Sequence, residues 1–230
     1  MARRVYNQFC SLALSLDIVG ERWTLLLVRE LMAGPKRYTD LAGALDGIGS
    51  SLLAARLRQL EDDGIIRQRQ LPPPTAATVY ELTTAGTELA EAMLPLVLWG
   101  ARHRARAPRP DEAYRAEWAL VFIAQMIDRD ALTGLEYTYR FQLGESEAYL
   151  RISHNDVTVT PGPLDRFDAT AGTDPVTVLE ISAGRLALSE ALTTGRVTLD
   201  GDPDALLTLT RVLPDRIPEH PRIALDNVPG

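Results

Sequence analysis

Apolar residues recur at helical spacing through the first third of the chain and at two-residue spacing later on. Leu12, Leu16, Val19, Trp23, Leu26 and Leu27 form one broad stripe, with Asp17, Arg22, Arg29 and Glu30 off it. The pattern predicts a helix over 12–32, stopped by Gly34-Pro35. Thr39 opens a short helix to Leu45 that buries Leu41 and Leu45, and Asp46-Gly47-Ile48-Gly49 makes a tight turn. Ser50 is the expected N-cap of a helix over 51–62. That helix turns Leu53, Leu57 and Leu60 to one side and Ser51, Leu52, Ala55, Arg56 and Gln59 to the other, and Gly64 ends it.

Ile65 to Gln70 alternates as a strand, Leu71-Pro72-Pro73-Pro74-Thr75 cannot continue a ladder, and Thr78 to Leu82 reads as a second strand. Thr83-Thr84 caps a helix to about residue 107, with Gly86 near its start and Pro95 inside it. Pro108-Arg109-Pro110 marks a boundary, followed by a helix over 111–128. The period then changes to two. Strands over 135–143, 148–152 and 157–160 make a meander, and Ala169-Thr170-Ala171 is a candidate fourth strand. Asp174-Pro175 starts a helix to Ile181, a short helical turn spans 189–192, and Arg196 to Asp200 is a last strand. Asp202-Pro203 caps a final helix to Leu213, and the remainder, with prolines 214, 218, 221 and 229, reads as a tail. The predicted class is α+β, with domains at 1–107 and 108–230.

Two short helices around a glycine turn, with a β-hairpin directly behind, form a winged helix-turn-helix. A helix entering the major groove needs small or hydrogen-bonding residues at its leading end and apolar anchors behind. Arg67 and Arg69 share one face of the first hairpin strand, either reaching phosphate or lining a solvated edge. Arg102, Arg104, Arg106 and Arg109 form a basic run that reads as linker or as a DNA contact.

The net charge of −7 looks wrong for a partner of nucleic acid. Residues 1–107 carry 13 Lys and Arg against 11 Asp and Glu, while residues 108–230 carry 11 against 20. The acidity therefore belongs to the second half. Lys36 is the only lysine, which with the alanine and leucine usage suggests a GC-rich bacterial coding sequence. No apolar run reaches the roughly 20 residues of a membrane span. The start, with Arg3 and Arg4, lacks a cleavage site, so a cytoplasmic protein is expected. One cysteine excludes an internal disulfide, and His103, His154 and His220 offer no metal spacing. With no phosphate loop and no nucleophile elbow, no cofactor and no enzymatic activity are expected.

Several stretches carry a specific resemblance. They are Cys10, Ile18 to Leu27, Arg29-Glu30-Leu31, Gly34 to Tyr38, Leu57 to Gly64, Tyr80 to Gly86 and Trp99-Gly100. In that order and at those spacings, residues 8 to about 101 resemble the HxlR-type regulators, relatives of the MarR family. The resemblance implies a homodimeric regulator on double-stranded operator DNA, reading through Ser50, Ser51, Leu52, Ala55 and Arg56, with Arg37 near phosphate. It also implies a dimer interface built on the helix after the wing. Two positions depart from the family pattern: Ser11 stands where it usually has Pro, and Ala55 where it usually has Gln. An alanine reads at most a thymine methyl. Cys10 has two readings, a redox sensor and a small buried hydrophobe.

Ala191 to Pro203, the apolar helix behind it and the meander before it resemble the sterol carrier protein type-2 domain. That resemblance implies one sheet covered by helices, with a cavity for a small apolar ligand and no defined catalytic residues. Trp118, Phe122, Phe141, Leu150, Val178, Leu206 and Leu209 are the candidate lining, or else simply core. Two functions follow. One is a ligand-responsive transcriptional regulator. The other is a carrier or scavenger of lipophilic molecules with a non-functional DNA-binding half, which the weak basicity and Ala54-Ala55 favour.

Overall fold

The computed structural model describes residues 5–74 and 76–217. Arg3, Arg4, Thr75, His220 and the prolines at 218, 221 and 229 lie outside the described residues. The chain divides into two compact units: residues up to Met93 with Thr158–Thr160, and the remainder from Leu94.

The first unit begins with α1 (Ser11–Val19) and α2 (Thr24–Met32), where one continuous helix was expected. The break lies at Gly20–Trp23. Trp23 sits at φ 79°, a left-handed conformation that no helix interior accepts. A Cβ on Gly20 would come within 2.5 Å of the Leu16 carbonyl oxygen. The long stripe is therefore not one core face: Leu27, Val28 and Leu31 are buried, whereas Leu12 and Leu26 are exposed.

Then come α3 (Tyr38–Ala44) and α4 (Ser50–Asp62). The i, i+4, i+7 leucines Leu53, Leu57 and Leu60 bury as their spacing requires. Ser50 is not the N-cap. Gly49 holds that place in an extended conformation, no side chain caps the helix, and the Ser50 carbonyl accepts the Tyr38 hydroxyl at 2.9 Å. The hairpin is β1 (Ile66–Gln70) paired antiparallel with β2 (Thr78–Leu82), from Ile66 opposite Leu82 to Gln70 opposite Thr78. Lys36 adds a one-residue bridge to Tyr80, N to O at 3.0 Å and back at 2.8 Å.

Helix α5 (Thr84–Arg104) follows, and the division between the units falls inside it. Thr83 organises its start: its hydroxyl donates to the Gly64 carbonyl at 2.6 Å and accepts the Gly86 N–H at 3.2 Å. A Cβ on Gly86 would lie 2.1 Å from the Ile65 carbonyl oxygen, so only glycine fits.

The second unit holds α6 (Ala116–Gln125), shorter than the expected 111–128, and a 3₁₀ turn at Arg129–Leu132. The strands from here on are β3 (Tyr137–Leu143), β4 (Ser146–Ser153), β5 (Asp156–Pro161, of which Thr158–Thr160 group with the first unit), β6 (Ala169–Thr173) and β7 (Thr198–Gly201). They form one sheet in the order β5-β4-β3-β6-β7. The meander is present, and β6 lies parallel to β3 on the side away from β4, Phe141 opposite Ala171. Helices α7 (Pro175–Ser182), α8 (Leu188–Thr193) and α9 (Pro203–Val212) complete the unit. Asp174 caps α7 through the Val176 and Thr177 N–H groups, and Asp202 caps α9 through those of Asp204 and Ala205.

Candidate nucleic-acid interface and ligand cavity

Burial of three leucines fixes which way α4 faces. Ser50, Ser51, Leu52, Ala55 and Arg58 are left exposed. Residues 51, 55 and 58 lie at i, i+4 and i+7, so they share one face. With no capping side chain, the first N–H groups of α4 remain open to an anion. Arg37, just before α3, is exposed, and its backbone N–H donates to Asp40 at 2.9 Å.

Arg56 behaves differently from the rest of the expected set. It pairs with Glu21 at 2.6 Å and donates to Gln59 at 2.7 Å, and its side chain is only 14% exposed. It ties α4 to the turn between α1 and α2. Arg58 has no ion pair among the described residues, and the sequence reading passed over it. Its signal was the spacing from Ser51 and Ala55.

In the wing, Arg67 and Arg69 both donate through Nε to one carboxylate, that of Glu81, at 2.8 and 2.7 Å. The bond from Arg69 leads in holding the Glu81 carboxyl below its usual pKa, with Arg67 adding to it against a desolvation that pushes the other way. Both arginines remain exposed, and only Nε is committed. Gln68 donates to Glu61 of α4 at 3.0 Å.

Beneath this surface lies a charge network that hydrophobic patterning could not show. Glu30 is fully buried and accepts from Lys36 at 2.7 Å and from Arg29 at 2.8 Å. Burial pushes its carboxyl up, but Lys36 and Arg29 outweigh that and hold it below the usual value.

Cys10 is exposed in the single chain. It is the N-cap residue of α1, where the N–H groups of Ala13 and Leu12 lower its thiol pKa. Val5, Tyr6, Phe9 and Leu12 around it are exposed as well, as are Leu96 and Trp99 on α5.

The second unit contains a cavity of about 90 Å³ beneath α7, α8 and α9 on the β3–β6–β7 side of the sheet. Counting its open mouth, the atom-free space is about 770 Å³. Of the expected lining, Phe141, Val178 and Leu209 face it. Trp118, Phe122, Leu150 and Leu206 do not, and Phe122 and Leu150 are buried away from it. The reason is geometric. Helix α6 packs on β4 and fills that half of the sheet, whereas Ala171 of β6 leaves space in front of Phe141.

Ile123 and Met126, Leu188 and Leu192, and Leu213 four residues after Leu209 add apolar lining at helical spacing that the sequence reading did not assign. The segment after α9, read as a tail, forms part of the wall through Pro214 and Ile217. It is held by Asp215, whose carbonyl accepts the Leu188 N–H at 2.8 Å and whose carboxylate accepts the Ser189 N–H at 2.7 Å. Among the described residues no group of His, Cys, Asp and Glu could hold a metal ion, and no helix is long and apolar enough to cross a membrane.

A three-helix core with a hairpin behind its second short helix defines the winged helix-turn-helix class. Residues 18–108 match the family described as HxlR-like helix-turn-helix, and residues 122–214 match the SCP-2 sterol transfer family. YodB of Bacillus subtilis, an HTH-type transcriptional regulator, is 32% identical over 83 residues, covering 36% of this chain and 74% of YodB. YdeP of the same organism, named as an HTH-type transcriptional regulator, is 32% identical over 111 residues, covering 47% and 84%. A regulator of Mycobacterium tuberculosis strain H37Rv is 38% identical over 101 residues, covering 44% of this chain and 61% of that one. The matched segment thus spans about three fifths of the mycobacterial regulator. The solved reduced form of YodB aligns with a TM-score of 0.39 at 28% identity, over 44% of this chain and 100% of that one. The chain belongs to the HxlR-like helix-turn-helix family.

Proposed function

We propose that the protein is a homodimeric transcriptional regulator. Residues 1–107 bind double-stranded operator DNA, and residues 108–230 bind a small apolar molecule that changes DNA affinity. The observation that carries this reading is the exposed face of α4: small and hydrogen-bonding residues beside an uncapped helix N-terminus, with a two-arginine wing in the same unit. Ser50, Ser51, Leu52 and Ala55 face the groove. Arg37, Arg58, Arg67 and Arg69 meet phosphate, and Arg56 serves by holding α4 against Glu21.

The cavity supports the sensing half. An apolar cavity whose mouth is open leaves its lining against water and so forgoes the burial of that surface. A bound ligand recovers such a loss and so shifts the equilibrium toward the state that holds it. The exposed apolar residues Val5, Tyr6, Phe9 and Leu12, with Leu96 and Trp99, support a second copy of the chain as partner. Cys10 is a second candidate input, because an exposed thiol of lowered pKa is a reactive one.

Fluorescence anisotropy with DNA upstream of the protein's own gene tests the reading. Affinity should fall steeply with salt, and Arg58→Ala should flatten the log–log salt slope by about 1. Arg56→Ala should weaken binding with little change of slope. Equal slope changes in both variants would return Arg56 to the contact surface. No binding at low salt would favour the carrier or scavenger reading, in which the three arginines held by Glu21 and Glu81 are structural.

A further inference from the structure

The cavity of the second unit is chemically one-sided. Its 18 lining residues include no Lys, Arg, His, Asp or Glu. Three side chains in the lining can hydrogen-bond: Thr173, Ser182 and Thr210. Thr173 already donates to the Arg196 carbonyl at 2.8 Å, and Thr210 to the Leu207 carbonyl at 2.9 Å. The Ser182 hydroxyl, on the last turn of α7, has no hydrogen-bond partner among the described residues and is the one uncommitted donor.

Charge and size both constrain what can enter. A carboxylate, phosphate or ammonium placed here would lose its water and meet no counter-ion, which disfavours it strongly. An apolar hole of about 150 Å³ lined by aliphatic and aromatic side chains holds a benzene molecule. The cavity here is smaller, about 90 Å³, with an open mouth, so at most one ring enters at depth and any further substituent lies toward solvent.

We propose that the ligand is an uncharged, compact hydrophobe with a single oxygen function — a monocyclic ketone, alcohol or phenol — whose oxygen meets the Ser182 hydroxyl. The proposal rests on the reading of this unit as a ligand chamber. It separates the cavity from one that encloses a carboxylate head, because a fatty acid entering head-first brings a charge that the lining cannot accept.

Matched probes test it on the full-length protein by isothermal titration calorimetry at pH 7. Para-methylacetophenone is the neutral probe, para-methylbenzoate its charged counterpart, and para-xylene the probe without oxygen. The ketone should bind at least about 10-fold more tightly than the carboxylate, a difference of about 1.4 kcal/mol. Ser182→Ala should weaken the ketone about 3-fold or more and leave para-xylene unchanged. Carboxylate binding equal to or tighter than the ketone overturns the proposal while leaving the chamber reading in place. An unchanged ketone affinity in Ser182→Ala overturns the assignment of its oxygen. If none of the three probes binds, the chamber reading fails and the proposal fails with it. Ala171→Leu locates the site by filling the cavity, and Val178→Phe fills it from the helix side should the strand variant fold poorly. Ligand affinity that survives in both folded variants overturns the site.

Discussion

The two units handle charge in opposite ways. In the first, opposed charges organise the working surface: Glu21 holds Arg56, Glu81 holds Arg67 and Arg69, and Lys36 pairs with Glu30 in the core. In the second, the cavity is lined without a single ionisable side chain. A surface that meets phosphate has to keep cations in fixed positions, and acidic partners supply the fixing. A chamber for a neutral guest needs the reverse, since any charge in its wall would demand water.

The largest effect that should break this contrast comes from Lys36→Met. It strips the buried Glu30 of its ammonium partner and should lower the stability of the first unit by about 3 kcal/mol in urea unfolding. A Glu30→Met, Lys36→Met double variant should recover much of that loss. No recovery would mean that the pair adds net stability rather than merely satisfying itself. Next is Gly86→Ala, whose methyl would meet the Ile65 carbonyl at 2.1 Å. A loss of about 2 kcal/mol is expected, read as a lower Tm.

Ala171→Leu works in the other unit and with the other sign. By filling the apolar space it should stabilise the protein by about 1 kcal/mol. A destabilised variant would show that the cavity walls are too rigid to accept the added methyls.

The smallest effect is a pH dependence. The Glu30 carboxyl lies below its ordinary value when folded. Its contribution is therefore complete above the ordinary carboxylate range and is lost as pH falls through the lowered folded value. Wild type should lose more stability on acidification than the Glu30→Met, Lys36→Met variant. Parallel acid titrations by circular dichroism would refute the assignment.

Legibility in the sequence divided along similar lines. The leucines of α4, the hairpin, the Asp-Pro helix starts and the strand alternation all announced themselves, because each is a local rule with a fixed period or cap. The break at Trp23 did not, since its left-handed backbone belongs to a residue that sequence rules place inside helices. Half of the cavity wall was equally hidden. Leu150 and Phe141 share one face of the sheet, and only the packing of α6 on β4 decides that one fills core while the other lines space. The pairing of Arg56 with Glu21, 35 positions apart, is a tertiary fact with no local signature.

Lys36 is the chain's one lysine and is 8% exposed, with its ammonium held by Glu30. Amine-directed reagents therefore meet almost no side-chain target on the folded molecule. An acylating dye should modify Lys36 only when the first unit opens, so the labelling rate counts opening events. The single buried amine is a built-in clock for that unit, and operator DNA that stabilises the closed form should slow it in proportion to affinity.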